Sequence, residues 1–159
     1  SMNKRKFKRA FTLMELMIVI VIIGILATVG MVMFGGQAEK AKIASTKSIH
    51  KQVVTYITVE MMNCSMGDEK IMGGSLPCSE RTPMNVVSAT VNSLVDHKNP
   101  YQVDKTAVSQ VSQTGLALSS NDAGFIRLSV SGQNIIVESC HTQPCGAAAL
   151  VAVKTIAFQ

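Results

Sequence analysis

The sequence predicts an α+β fold in which one long N-terminal α-helix, its first half transmembrane, packs by its second half on a C-terminal four-stranded antiparallel sheet. Three observations predict it. The run from Leu16 to Gly36 is uncharged, and Thr28 is its one interruption among apolar residues and glycines. Beyond that run Ile49, Val53, Ile57 and Met61 recur at helical spacing, and no proline occurs before Pro77. The last third instead alternates apolar and polar residues between glycine-containing turns, the pattern of strands joined by short connections.

A chain of 159 residues suits one domain. It is 47% hydrophobic but only 4% aromatic, without Trp, so any core must be built from Val, Ile, Leu, Ala and Met. The charge is placed unevenly. Lys4, Arg5, Lys6, Lys8 and Arg9 all precede residue 11 with no acid among them, and together they equal the whole net charge of +5. The remainder is formally neutral. Basicity therefore marks a leader, residues 1–10, and not a face for nucleic acid.

Residues 11–36 are the expected transmembrane segment. A helix of about 20 residues crosses the hydrocarbon layer, and the basic flank keeps the N-terminus cytoplasmic. The apolar run is too long for the core of a secretory signal. It is too uniformly apolar for a core helix in a protein of this size. Residues 37–62 continue the helix amphipathically. Lys40, Lys47, His50 and Lys51 mostly turn away from the apolar face and read as a solvated surface. Glu39 and Glu60 dilute that basic stripe and aromatics are scarce, so nucleic acid is not indicated as a partner. Phe11 to Met62 as one helix would run roughly 80 Å. A small domain cannot bury that length, so something outside the monomer must cover its first half. One carboxylate, Glu15, stands at the mouth of the apolar run, where charge is costly. It either serves the positive end of its own helix or meets a cation elsewhere.

Arg9-Ala10-Phe11-Thr12-Leu13-Met14-Glu15-Leu16-Met17-Ile18-Val19 resembles the prepilin signal of type IV pilins and their pseudopilin relatives. The resemblance covers residues 4 to about 30 closely and the helix-then-sheet layout more loosely. It implies a non-enzymatic structural subunit of a type IV pilus-like filament. Ala10 and Phe11 would be the processing residues: a prepilin peptidase of the inner membrane cuts before Phe11, whose new amine is methylated. Phe11 and Glu15 would serve assembly. The implied partners are other copies of the chain in a homopolymer, the peptidase, the inner-membrane assembly machinery and the membrane itself. The helix would lie first in the inner membrane and then in the core of an extracellular or periplasmic fibre. The alternatives are a pseudopilin of a type II secretion system, or a single-pass anchored binding protein that never polymerises. Ala10 stands where the family usually has glycine. Many members also carry a proline in the second half of the membrane helix, where this chain has Val32 and only Gly24, Gly30, Gly35 and Gly36 to soften it.

Residues 63–159 should form a globular periplasmic or extracellular body. Asn63 to Pro77 reads as a loop. Thr82-Pro83 should start a short helix that ends near Asp96, with Thr as cap and Pro in the first turn. Asn99-Pro100-Tyr101 reads as a turn, and it resembles a segment of some pilins and pseudopilins. Strands are expected at Gly115–Ser119, Phe125–Ser131, Asn134–Glu138 and Ala148–Phe158. Cys64, Cys78, Cys140 and Cys145 all follow the apolar run and so share one compartment. If it is oxidising they form two disulfides, with three possible connectivities. The most economical is Cys64–Cys78 with Cys140–Cys145. Cys140-His141 with Cys145 lacks the paired spacing of a zinc site, and Asp122 beside Asn121 reads as a turn before a calcium loop. His50, His97 and His141 are scattered without a nucleophile motif. No catalytic residue, metal or cofactor is expected.

Overall fold

The computed structural model describes residues 11–112, 121–146 and 151–158. The basic leader with Ala10, the expected strand at Gly115–Ser119 and the first part of the expected last strand lie outside them. Two compact units divide the chain after Glu39. Helix α1, Leu13–Ser65, runs through the first unit and supplies the first element of the second.

In the first unit the composition dictates the outcome. Leucine, methionine and β-branched residues follow one another with no break, and an 18-residue window of α1 reaches a mean hydropathy of 2.9 with none of it buried by the chain. Leu13 is 89% exposed and Val32 85%. The helix is long and apolar enough to cross a membrane.

The second unit has its own core. Thr46, Ile49, Val53 and Ile57 of α1 are buried at three- and four-residue spacing, one face of the helix. Ile49, Val53 and Ile57 join Val86 and Val87 of α2 (Pro83–Ser93) in one cluster with the sheet residues Val108, Ile126, Leu128, Ile135 and Val137. Helix α2 starts as its sequence dictates: Thr82 is the cap, its hydroxyl accepts the Asn85 N–H at 3.2 Å, and Pro83 occupies the first turn. Between α1 and α2, the segment expected as loop folds into a small antiparallel hairpin, β1 (Lys70–Ile71) with β2 (Leu76–Pro77). A disulfide from Cys64 to Cys78 holds this hairpin to the end of α1. Closing a loop of that length contributes about 3 kcal/mol in the chain-entropy model.

The main sheet has the order β3 (Val108–Gln110), β4 (Ile126–Ser131), β5 (Asn134–Cys140), β6 (Val151–Ala157). It is mixed, which corrects the expectation of an antiparallel sheet. β4, β5 and β6 are antiparallel neighbours, but β3 runs parallel to β4, with Val108 opposite Ile126. The reason is the length of the connection. A parallel neighbour needs a dozen or more residues to return to the same end of the sheet, and the chain from Gln110 to Ile126 supplies them. β4 and β5 are joined by Gly132-Gln133, with Gly132 at φ 60°, the two-residue turn that matches strand twist.

One turn underpins this sheet. Asn99 is fully buried, and its Oδ1 accepts the N–H groups of Tyr101 at 2.8 Å and Gln102 at 3.2 Å. Its Nδ2 donates to the Ala123 carbonyl at 3.1 Å. The asparagine thereby ties its own turn to the chain entering β4. Gly124 makes that approach possible. Its φ is +83°, and a Cβ there would lie 2.1 Å from Asn99 Oδ1. Gly124→Ala is therefore expected to destabilise the body by more than the roughly 1–2 kcal/mol of left-handed strain alone. Gly132→Ala, with nothing within 4 Å of its Cβ, should cost about 1–2 kcal/mol. Urea unfolding of the two variants in detergent, followed by near-UV circular dichroism, checks the order; equal costs would remove the role given to Asn99.

Candidate functional site

The first turn of α1 closes on itself. Thr12 donates both its backbone N–H and its hydroxyl to Glu15 Oε2, at 2.9 and 3.0 Å. The Glu15 N–H donates back to Thr12 Oγ1 at 3.2 Å. This reciprocal arrangement is a capping box, which satisfies two backbone donors that a helix start leaves without partners. The helix-end reading of Glu15 is thus realised within the chain. Its sequence signature is Thr-x-x-Glu ahead of an apolar run, with Thr12 as the partner that the acidic residue alone does not name. Phe11 precedes the box with 82% of its surface exposed. Both bonds from Thr12 end on Oε2, so the second carboxylate oxygen is placed to accept from a further donor.

The remaining candidates lie in the second unit. Cys64 is joined to Cys78 and Cys140 to Cys145. The second bond closes a short loop after β5 in which Gln143-Pro144 is cis. Tyr101 packs against this loop and donates its hydroxyl to the His141 carbonyl at 2.7 Å. Asp122 pairs with Arg127, Oδ1 to Nη2 at 2.7 Å, and the guanidinium stacks 4.4 Å from the Phe125 ring centroid. Among the described residues no group of three or more His, Cys, Asp and Glu side chains converges as a metal site. The three histidines are not all scattered. His50 on α1 and His141 after β5 meet across the hydroxyl of Ser139, whereas His97 contacts Gln52 instead. Ser139 is fully buried, so the hydroxyl between two imidazoles offers no face to a substrate. Nothing local in the sequence could have signalled that meeting.

A capped acidic turn opens a helix long and apolar enough to cross a membrane, and a disulfide-bearing α+β body follows it. A family model described as the prokaryotic N-terminal methylation motif matches residues 5–31. The chain therefore carries the prepilin-type signal of type IV pilins and pseudopilins, and that signal marks a chain for a prepilin peptidase and for assembly with pilus-type machinery. Comparison with curated proteins and with solved structures found no match.

Thr12→Ala removes one half of the capping box and should fray the first turn, so that the amides of Glu15 and Leu16, bonded to Thr12, exchange several-fold faster in micelles, while Thr12→Ser retains the wild-type rate. The thermal unfolding of the body should not change. Equal exchange in Thr12→Ala and wild type would show that the box carries no weight.

Proposed function

We propose that the chain is a structural subunit of a type IV pilus-like filament, held by α1 in the inner membrane before assembly. Cleavage falls between Ala10 and Phe11, the Phe11 amine is methylated, and residues 11–36 become the filament core. The body, residues 63–159 with the amphipathic end of α1, forms the filament surface. The single observation that carries this reading is the placement of Glu15. It lies at the mouth of an apolar helix that the chain leaves uncovered, one turn from the amine that processing creates.

The physical argument runs through charge. An amine at a chain terminus has a pKa of about 8 and is largely protonated at neutral pH. Taking it alone into an apolar fibre core is costly, and so is taking the carboxylate alone. Paired, each offsets the desolvation of the other, provided geometry is good. Glu15 can meet the Phe11 amine of a neighbouring copy, or its own, through its second oxygen without giving up the bonds from Thr12. Such a pair also fixes axial register, since a purely apolar helix could slide along its neighbours. Ala10 preserves a small side chain before the cut, where the resemblance calls for glycine.

Glu15→Ala should insert in the membrane and fold its body normally, yet yield at least about tenfold less subunit in sheared filaments relative to the membrane fraction, the loss that one removed pair contact would give. Mass analysis of sheared wild-type filaments should find subunits that begin at Phe11 and carry one added methyl group. Normal filament yield from Glu15→Ala, or filaments whose subunits retain the leader, would overturn the reading.

A further inference from the structure

We propose that His50, Ser139 and His141 form an acid-sensitive clasp between α1 and β5, closed when both imidazoles are neutral and loosened when they take up protons. Ser139 Oγ lies 2.7 Å from His50 Nδ1 and 2.9 Å from His141 Nε2. The rings meet edge to face with centroids 6.2 Å apart. Ser139 is fully buried, His141 only 6% exposed and His50 half-buried, so water cannot easily replace a lost bond on the His141 side. A serine has one hydroxyl hydrogen. All three groups are satisfied when one imidazole nitrogen accepts that hydrogen and the other donates its N–H to the oxygen. Protonating the accepting nitrogen leaves the hydroxyl hydrogen without its acceptor and puts a cation in a poorly hydrated place.

The surroundings oppose that cation. Ile126 of β4 and Ala152 of β6 are the cross-strand neighbours of Ser139 and present no charge. The next residue of β6 on that face is Lys154, opposite Val137. From α1 comes Lys47, whose charge lowers the pKa of His141. Tyr101 reaches the His141 carbonyl with its hydroxyl, and its ring carries Lys42 at 5.2 Å. Glu138 belongs to the opposite face, in register with Arg127 and Val153. Burial pushes both imidazoles below the usual histidine value, with His141 further opposing His50 and Lys47 opposing His141. Because the folded values are depressed, the folded chain binds fewer protons than the unfolded one below the unfolded value of about 6.5. Stability is intact above that pH and is lost as pH falls from it toward the folded values. The site lies wholly within the second unit and does not depend on the filament reading.

The test uses the full chain in detergent micelles and compares amide exchange, corrected for its intrinsic pH dependence, at about pH 7.5 and pH 5. Wild type should lose about tenfold in protection in residues 46–57 and 134–141. His50→Asn with His141→Gln keeps a polar atom at each bonding position but cannot titrate, and should lose less than about twofold on the same scale. His97→Gln should behave as wild type. Equal acid loss in the double variant and wild type, or no acid loss in wild type, overturns the clasp. If the double variant does not fold, imidazole resonances of wild type decide: two rings titrating together below about 6.5 support it, and either ring titrating at or above that value overturns it.

Discussion

The first half of α1 is apolar on every side, and no other part of the described chain covers it. Burial of apolar surface is the main driving force in folding, at roughly 25 cal/mol per Å², so a helix left with this much exposed must find its covering outside the chain. Lipid can provide it, and so can copies of the same helix. This constraint accounts for the division of labour along the sequence. A segment that must be covered from outside can afford no charge that lacks a partner, and Leu16 to Gly36 contains none. Everything that a self-sufficient domain needs is concentrated after it.

The body meets that demand with few large side chains. Its core of valine, isoleucine and leucine draws on α1, α2 and the sheet together, with Val53, Ile57, Val86, Val87, Leu128 and Val137 all fully buried. Small aliphatic residues give less burial each than aromatics, so cross-links and buried polar ties weigh more in holding the body together. The two disulfides act where secondary structure is thinnest, at the two-residue strands after α1 and at the short loop after β5. Asn99 does by hydrogen bonding what they do covalently, joining a turn to the entry of β4.

Much of this was legible in the sequence wherever a signal is local. The apolar run, the buried face at Ile49, Val53 and Ile57, the Thr82-Pro83 helix start and the Gly132-Gln133 turn each follow from residues within a few positions of one another. The parallel strand was not legible. Val108-Ser109-Gln110 is too short to show alternation, and its direction depends on the path of a long connection. The hairpin after α1 was hidden because two-residue strands carry no period and its glycines speak only for turns. His50 and Ser139 are separated by 89 positions and come together only because α1 lies against the sheet. Thr12 is a different case. Its capping signature stands three residues upstream of Glu15, and the same carboxylate also carries the signal of a charge that needs a partner near an apolar run, so the sequence alone leaves both roles open.

The local partner changes what assembly has to explain. A carboxylate already bonded to a backbone N–H and a hydroxyl is partly shielded by its own helix, so it can sit at a membrane interface without a second chain. Entry into a filament would then not rescue an unsatisfied acid. In the reading proposed here it answers a different need, because cleavage removes the basic leader and creates a new cation at Phe11. On that reading the amine, rather than the already bonded Glu15, is the group that needs a partner in a dry core. Specificity follows from that asymmetry. On that reading the amine meets its own Glu15 or that of a neighbour placed in register, and a stagger that offers it neither sets it against apolar side chains, where a lone charge is most costly.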